Sequence, residues 1–262
     1  MWTFEKKSKK PELRNTILIE GLPGIGNVGK IALDFIISET KAVKLFEVSS
    51  YSFPHSVFIN ENNLVELPSI EIYYRKFDDE RPDLLLLTGD IQPIDEESCY
   101  EFCDKILDVA QEFGCKEVIT IGGIGLSEIP KNPKIMCTGN NKRIISKYKK
   151  NTGISDKLYG VVGPIIGVSG LLVGLSKKRN IDAVCLLAET LGHPAYVAVK
   201  EAQLILKILD QKLKLKIDLK SLDKEIKDLE KQMKEKAKDI RKMSELKNRK
   251  SLKQFGDVNY IG

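Results

Sequence analysis

Short apolar runs alternate, from the start of the chain to Leu213, with longer segments in which apolar residues recur every three or four positions. Runs of the first kind predict strands and segments of the second kind predict helices. The predicted strands are 16–20, 42–49, 56–59, 70–77, 84–88, 117–121, 134–137 and 183–188. The predicted helices are 96–113, 141–149, 165–178 and 196–213, together with one that follows the first strand and reaches residue 37.

Alternation of strands with helices predicts a three-layer α/β/α sandwich with a mostly parallel mixed sheet. The run LLLLT at 84–88 is continuously apolar, which is typical of a strand covered on both faces. Segment 51–77 has a polar turn at 60–63 and predicts additional antiparallel strands. Glycine-rich stretches that follow predicted strands, including 122–125, are expected to be turns.

The first strand leads into a glycine-rich loop that opens onto a helix, a layout in which a phosphate can bind at the helix N-terminus. Two phosphate-binding patterns overlap here. Gly24, Gly26 and Gly29 fit G-x-G-x-x-G, and the stretch that ends at Lys30 fits G-x-x-x-x-G-K. In a P-loop the residue after the lysine is Ser or Thr, whose hydroxyl binds magnesium, but here that residue is Ile31. The candidate ligand-binding residues of this interpretation are Gly24, Gly26, Asn27, Gly29, Lys30 and Glu189.

The competing interpretation is structural. Glycines permit a tight strand-to-helix turn and close packing whether or not a phosphate binds. We find no nucleophile elbow, no Ser-His-Asp order and no metal-ligand cluster in the sequence. The residues therefore do not require an enzyme, and they predict no cofactor and no metal.

Composition limits the class of protein. The chain is 42% hydrophobic and 30% charged, which suits a globular protein with a sizeable core. It has no run of roughly 20 apolar residues, and its start lacks the apolar region of a secretory signal. These features predict a soluble, cytoplasmic protein without a membrane segment. The five cysteines form no C-x-x-C pair and are expected to be reduced thiols of the core.

The net charge of +5 is unevenly distributed. Residues 200–253 contain 18 basic and 10 acidic residues, whereas the rest of the chain has 24 and 27. Basic and acidic residues are interleaved in this segment, and aromatic residues are absent from it. The pattern favours a solvated helix face over nucleic-acid binding.

An apolar seam begins near residue 215. Its members recur at alternating steps of four and three, a heptad pattern. They are Leu215, Leu219, Leu222, Ile226, Leu229 and Met233. The pattern predicts a helical extension over 214–249, packed in an intermolecular or hairpin-type seam or laid back on the same subunit. A short polar tail, 250–262, follows.

Several motifs in order resemble the PAC2 family, which includes archaeal and bacterial relatives of the eukaryotic proteasome assembly chaperone. They are GLPGIGNVGK from Gly21, LLLTGD from Leu85 with Gln92 and Pro93, TIGGIG from Thr120, GVSGLLVG from Gly167, and LLAET from Leu186 with Gly192, His193 and Pro194. The match runs from about residue 12 to about residue 225. After Pro194 the family usually shows an Asp-Pro helix start, where this chain has Ala198 and Val199.

The resemblance implies a phosphorylase/hydrolase-like α/β fold over 1–213, homo-oligomers (trimer or tetramer) and no established catalysis. The family is sometimes labelled as ATP-grasp, but the chain contains no such domain. Archaeal members are implicated as ATP-independent chaperones or activators that contact the proteasome α-ring through C-terminal tails. The corresponding tail here ends in Tyr260, Ile261 and Gly262, so the tyrosine is third from the end and not second.

The leading hypothesis is a non-enzymatic proteasome assembly chaperone or activator with protein partners. The alternative is a nucleotide- or nucleoside-binding enzyme that uses the loop from Gly24 to Lys30.

Overall fold

A computed structural model describes residues 2–158, 160, 163–220 and 222–223 of the chain. The strands are β1 Trp2–Lys6, β2 Ile17–Glu20, β3 Val43–Ser50, β4 Phe58–Ile59, β5 Val65–Glu66, β6 Ile70–Arg75, β7 Leu84–Gly89, β8 Glu117–Leu126, β9 Ile135–Gly139 and β10 Asp182–Leu191. The helices are α1 Val28–Thr40, α2 Glu96–Glu112, α3 Lys142–Lys149, α4 Val168–Ser176 and α5 Val199–Leu213, and short 3-10 turns lie at Ile25–Asn27 and Lys177–Arg179.

In this part of the chain, eight strands form one mixed sheet in the order β1-β3-β6-β7-β2-β8-β10-β9. The central strands β7, β2, β8 and β10 are parallel, and β1, β6 and β9 run opposite to the other five. Every residue of β2 and β7 is buried, as expected for strands covered on both faces. The predicted α/β fold with a mixed sheet is confirmed.

Helices cover both faces of the sheet. Leu18 of β2 and Cys185 of β10 belong to a core cluster that includes the buried residues of α2 and α4. Ile19 of β2 and Leu86 of β7 alternate to the opposite face. On that side α1 packs against β7 and β8 and also contacts α5. The result is the three-layer arrangement that the sequence predicts.

Strand β1 is absent from the sequence-based prediction. It pairs with β3 at one edge of the sheet, and the Trp2 ring packs at an angle against those of Phe102 and Phe53, with centroids 4.7 Å and 5.6 Å apart. Its signal is the alternation of Trp2 and Phe4 with polar residues, which is too short to stand out in a charged segment. Aromatic burial holds this strand against α2.

The stretch 122–125 is part of a strand, and the prediction of a turn there was wrong. Strand β8 continues to Leu126 because it pairs with β10 without interruption, from Glu117 opposite Asp182 to Leu126 opposite Leu191. The predicted antiparallel hairpin is present as β4 and β5, which form a separate two-stranded sheet. The five cysteines are buried and free.

The chain divides into two units, Met1–Asp218 and Leu219–Gly262. The predicted helical extension does not begin at residue 214, because α5 ends at Leu213 and the left-handed residues Lys214 and Lys216 interrupt the helix. Of the predicted seam, Leu215 is buried in the first unit. Leu219 and Leu222 begin the second, where the Asp223 N–H donates to the Leu219 carbonyl at 3.3 Å. Ile226, Leu229 and Met233 lie outside the described residues, as do Tyr260, Ile261 and Gly262. No helix of the described part combines the length and apolarity that crossing a bilayer requires.

Candidate functional site

Three glycine-rich segments surround a cavity of about 430 Å³ at the carboxyl ends of the parallel strands. Such edges are where α/β sheets bind ligands. The first segment joins β2 to α1, the second is the end of β8, and the third precedes α4. The lining residues are Leu22, Pro23, Gly24, Ile25, Val28, Gly29, Gln92, Ile121, Gly122, Gly123, Ile124, Gly125, Gly163, Pro164, Ile165, Ile166, Ser169 and Leu187.

The loop between β2 and α1 turns sharply because two of its residues are left-handed. Gly26 has φ 66° and Asn27 has φ 53°, and the Asn27 N–H donates to the Gly24 carbonyl at 3.0 Å. Glycine accepts the first of these conformations without strain, and asparagine tolerates the second better than most residues do. The turn therefore follows from the residue types.

Close approach explains most of the remaining glycines. A Cβ on Gly21 would lie 2.3 Å from the Gly29 carbonyl oxygen, and a Cβ on Gly29 would lie 2.7 Å from that of Ile121. On β8, a Cβ on Gly123 would lie 2.4 Å from the carbonyl oxygen of Ile25. These contacts are between backbone atoms, which have little freedom to move. The glycines let the loop rest directly on the sheet.

Glu20 connects the loop to α4 from beneath the cavity. Its carboxylate accepts the Leu22 N–H and the Ser169 hydroxyl, both at 2.9 Å. Complete burial raises the pKa of Glu20 from 4.5 to about 7, against the opposing effect of these hydrogen bonds. Gln92 makes a second connection, since its amide donates to the Pro23 carbonyl at 2.8 Å and accepts the Val168 N–H at 3.3 Å.

The signal for Glu20 in the sequence is weak, a carboxylate at the end of an apolar strand, and the signal for Gln92 is its place in a family motif, which does not reveal these contacts. Glu20 and Glu189 both lie at or near the ends of strands, where two carboxylates could form a pair. However, Glu20 lies opposite Thr120 of β8 and Glu189 lies opposite Ile124. Four residues correspond to about 13 Å along a strand. The Glu189 carboxylate instead accepts the Lys134 N–H at 3.1 Å.

The predicted ligand-binding residues are not gathered around one point. Gly24 and Gly29 line the cavity, whereas Gly26 packs on Thr190 and Ala198 at the opposite side of the loop. The Ala198 N–H donates to the Gly26 carbonyl at 2.9 Å. A small buried residue that directly precedes α5 therefore meets the loop. Asn27 precedes α1, but its side chain makes no cap bond.

Lys30 is engaged away from the cavity. Its ammonium lies 3.1 Å from the Asp34 carboxylate, one helical turn along α1, and Asp34 also accepts the Thr88 hydroxyl at 2.8 Å. The lysine of a P-loop reaches the β- and γ-phosphates instead. Among the described lining residues the polar side chains are those of Gln92 and Ser169, and none carries a charge. This geometry gives the nucleotide interpretation no support.

Comparison with known proteins identifies the family. The model of the PAC2 family matches residues 18–237. An uncharacterized protein of Methanocaldococcus jannaschii, MJ1210, is 30% identical over 182 residues, which are 69% of this chain and 68% of the relative. A second from the same organism, MJ0106, is 29% identical over 227 residues, 85% of each chain.

Two solved structures from Pyrococcus furiosus share the architecture. PbaB, described as an archaeal proteasome activator, is 36% identical with a TM-score of 0.80, over 89% of this chain and 98% of that one. PbaA, described as an archaeal homolog of proteasome-assembly chaperone, is 22% identical with a TM-score of 0.74, over 97% and 99% of the two chains. The second likeness shows the fold alone. With the family match over most of its length, this chain belongs to the PAC2 family.

Proposed function

We propose that this protein is a non-enzymatic, cytoplasmic partner-binding protein that acts on the proteasome as an assembly chaperone or an activator. The observation that carries the proposal is the likeness to PbaB, which combines 36% identity with nearly complete coverage of both chains. The character of the cavity agrees with it. The described cavity walls offer no charged group for a phosphate, and backbone carbonyl groups closely approach two of the lining glycines, Gly29 and Gly123.

In this proposal the α/β domain is a homo-oligomeric platform, a trimer or a tetramer. The heptad-patterned segment 214–249 extends from it, and the tail 250–262 binds the partner, the proteasome α-ring or its subunits, through Tyr260, Ile261 and Gly262. Several tails on one oligomer act at a high effective concentration, so that individually weak contacts become useful. The positive charge of residues 200–253 contributes to encounter with an acidic protein surface.

The experiment is co-purification with purified 20S proteasome. Deleting residues 254–262 is expected to lower capture by at least about 10-fold, because avidity multiplies the loss of each tail contact. Tyr260→Ala is expected to act in the same direction, and Asn259→Ala in the same tail is the matched control.

Light-scattering mass and circular dichroism establish that each variant keeps its assembly and fold. If the truncated protein captures as much proteasome as the full chain, the tail mechanism is wrong. If neither form captures any, the proteasome is not the partner.

A further inference from the structure

The hairpin formed by β4 and β5, residues 58–66, presents apolar side chains to solvent. Ile59 and Val65 lie opposite each other and are 72% and 69% exposed. Among the described residues, seven of the fourteen exposed large apolar side chains fall between residues 51 and 67. Exposed apolar residues are ordinary when scattered singly, but a concentration of this kind marks an interaction site.

The hairpin is held in shape by its turn. The Asn60 carboxamide oxygen accepts the N–H groups of Asn62 and Leu64, both at 3.0 Å, and its amide donates to Glu66 at 2.6 Å. Asn63 has φ 59°, a left-handed conformation that asparagine tolerates. A two-stranded hairpin alone is marginal in water, so covering its apolar side chains would stabilise it. The turn presets the shape that a partner would bind.

A groove of about 750 Å³ lies beside the hairpin. Its apolar walls include Tyr51, Phe53, Pro54, Val57, Leu67 and Pro68. Val57 and Leu67 directly flank the hairpin strands, and Tyr51 is fully exposed. The chain therefore carries an apolar projection and an apolar recess side by side, and in the single chain neither fills the other.

The size of this surface matches a protein interface. Aromatic side chains bury about 150–250 Å² and the aliphatic ones somewhat less, so the seven side chains expose on the order of 800 Å². The largest apolar patch of a typical monomer is about 300–600 Å², and a stable interface takes about 800 Å² from each partner. The combined surface exceeds the largest apolar patch of a typical monomer, and a copy that uses its hairpin against one neighbour and its groove against another would cover all of it.

Charge points to a second copy of the same chain as the occupant. The segment from Tyr51 to Pro68 contains two acidic residues, Glu61 and Glu66, and neither Lys nor Arg, whereas 30% of the whole chain is charged. Two copies carry the same charges, and a segment with so few of them lets its hairpin and groove meet without like-charge repulsion. Glu66 is also held by Asn60 within the hairpin.

We propose that the hairpin of one copy occupies the groove of another and that this contact assembles the homo-oligomer. The proposal rests on the platform part of the proposed function and names the surface that forms it. Because projection and recess are different residues, repetition of the contact closes a ring when the rotation between copies allows it.

The test measures mass by light scattering at tens of micromolar protein. The wild-type chain is expected to be oligomeric. Ile59→Glu in the hairpin and Tyr51→Glu in the groove each bury a charge in an apolar contact and are expected to weaken association by at least about 100-fold, giving monomers. Ile129→Glu, the same change at another exposed isoleucine, is the matched control and should keep the wild-type mass.

Mixing the two monomeric variants tests the pairing itself. Ile59→Glu retains an intact groove and Tyr51→Glu retains an intact hairpin, so an equimolar mixture is expected to form a heterodimer. Circular dichroism checks that both variants fold. For the unmodified chain, hydrogen exchange of the 58–66 amides should slow as concentration rises.

A monomeric wild-type protein, variants with wild-type mass, or a mixture that stays monomeric would each overturn the proposal, as would exchange that does not depend on concentration. None of these readouts involves the proteasome, so a failure of the tail experiment leaves this result standing. Monomeric variants that still capture the proteasome as well as wild type would support the hairpin-in-groove contact, but they would show that proteasome binding does not need the oligomeric platform.

Discussion

Gly123→Ala tests the conclusion that the glycine loop rests directly on the sheet. The added methyl carbon would lie 2.4 Å from the Ile25 carbonyl oxygen and 3.0 Å from the Thr190 γ-methyl group. Gly24→Ala is the matched control from the same cavity. Gly24 has an extended backbone with φ −157°, and no heavy atom lies within 4 Å of its Cβ position. The two variants add the same atom to crowded and to open space.

The expected cost follows from the contact. A carbon and an oxygen do not approach within 3.0 Å without displacement, so the loop must move by several tenths of an ångström. Overpacking of this kind costs about 1–3 kcal/mol of unfolding free energy. In a domain of this size each kcal/mol lowers the melting temperature by about 2–4 °C. Gly24→Ala should instead leave stability unchanged or raise it by up to about 1 kcal/mol, through the entropy of the unfolded chain.

The assay is urea unfolding followed by circular dichroism at one fixed protein concentration, because assembly makes apparent stability depend on concentration. Gly123→Ala within about 0.5 kcal/mol of wild type would refute the packing argument, since that is the range of ordinary surface substitutions. Equal destabilisation by Gly24→Ala would refute it as well, because that position has no neighbour to displace.

Two further predictions concern buried carboxylates. Glu20 has a pKa of about 7 in the folded chain, against 4.5 ordinarily, so between these pH values the folded state binds a proton that the unfolded state releases. The unfolding free energy should therefore fall as pH rises through this range, by on the order of 3 kcal/mol. Glu20→Gln should abolish this fall in urea titrations across pH, and an unchanged pH dependence of the variant would contradict the assignment. Tyr148 is fully buried and its hydroxyl donates to Glu117, so Tyr148→Phe should lower the unfolding free energy by about 1–3 kcal/mol. The exposed control Tyr100→Phe should change it little, and equal effects of the two would show that the hydroxyl of Tyr148 does not matter.

The sheet was predictable where burial is complete. The run at Leu84–Gly89 is apolar almost throughout because helices cover both of its faces, and that composition is visible in one dimension. The prediction of a turn at 122–125, in the glycine-rich end of β8, was wrong for a physical reason. Glycine is usual in turns, and its use inside a strand marks a close backbone approach. Here the approaching group is the Ile25 carbonyl, which only the folded chain reveals.

The contacts of the cavity were beyond sequence reasoning. Glu20 and Ser169 are 149 residues apart, and nothing local indicates that they meet. Lys30 fitted a phosphate pattern by spacing, yet the helical interval of four residues places it against Asp34. The hairpin shows the opposite limitation. Its apolar residues indicate strands correctly, but the pattern alone does not distinguish side chains buried within one chain from side chains left exposed for contact with a second chain.

The position of Trp2 has a practical consequence. It is the sole tryptophan of the chain, and its indole ring lies between Phe102 of α2 and Phe53, which lines the groove. Intrinsic fluorescence excited at the indole band therefore reports on the region where β1, α2 and the groove meet, with no label attached. Detachment of the edge strand would shift the emission to longer wavelengths, and a molecule that binds beside Phe53 would change the quenching of the indole.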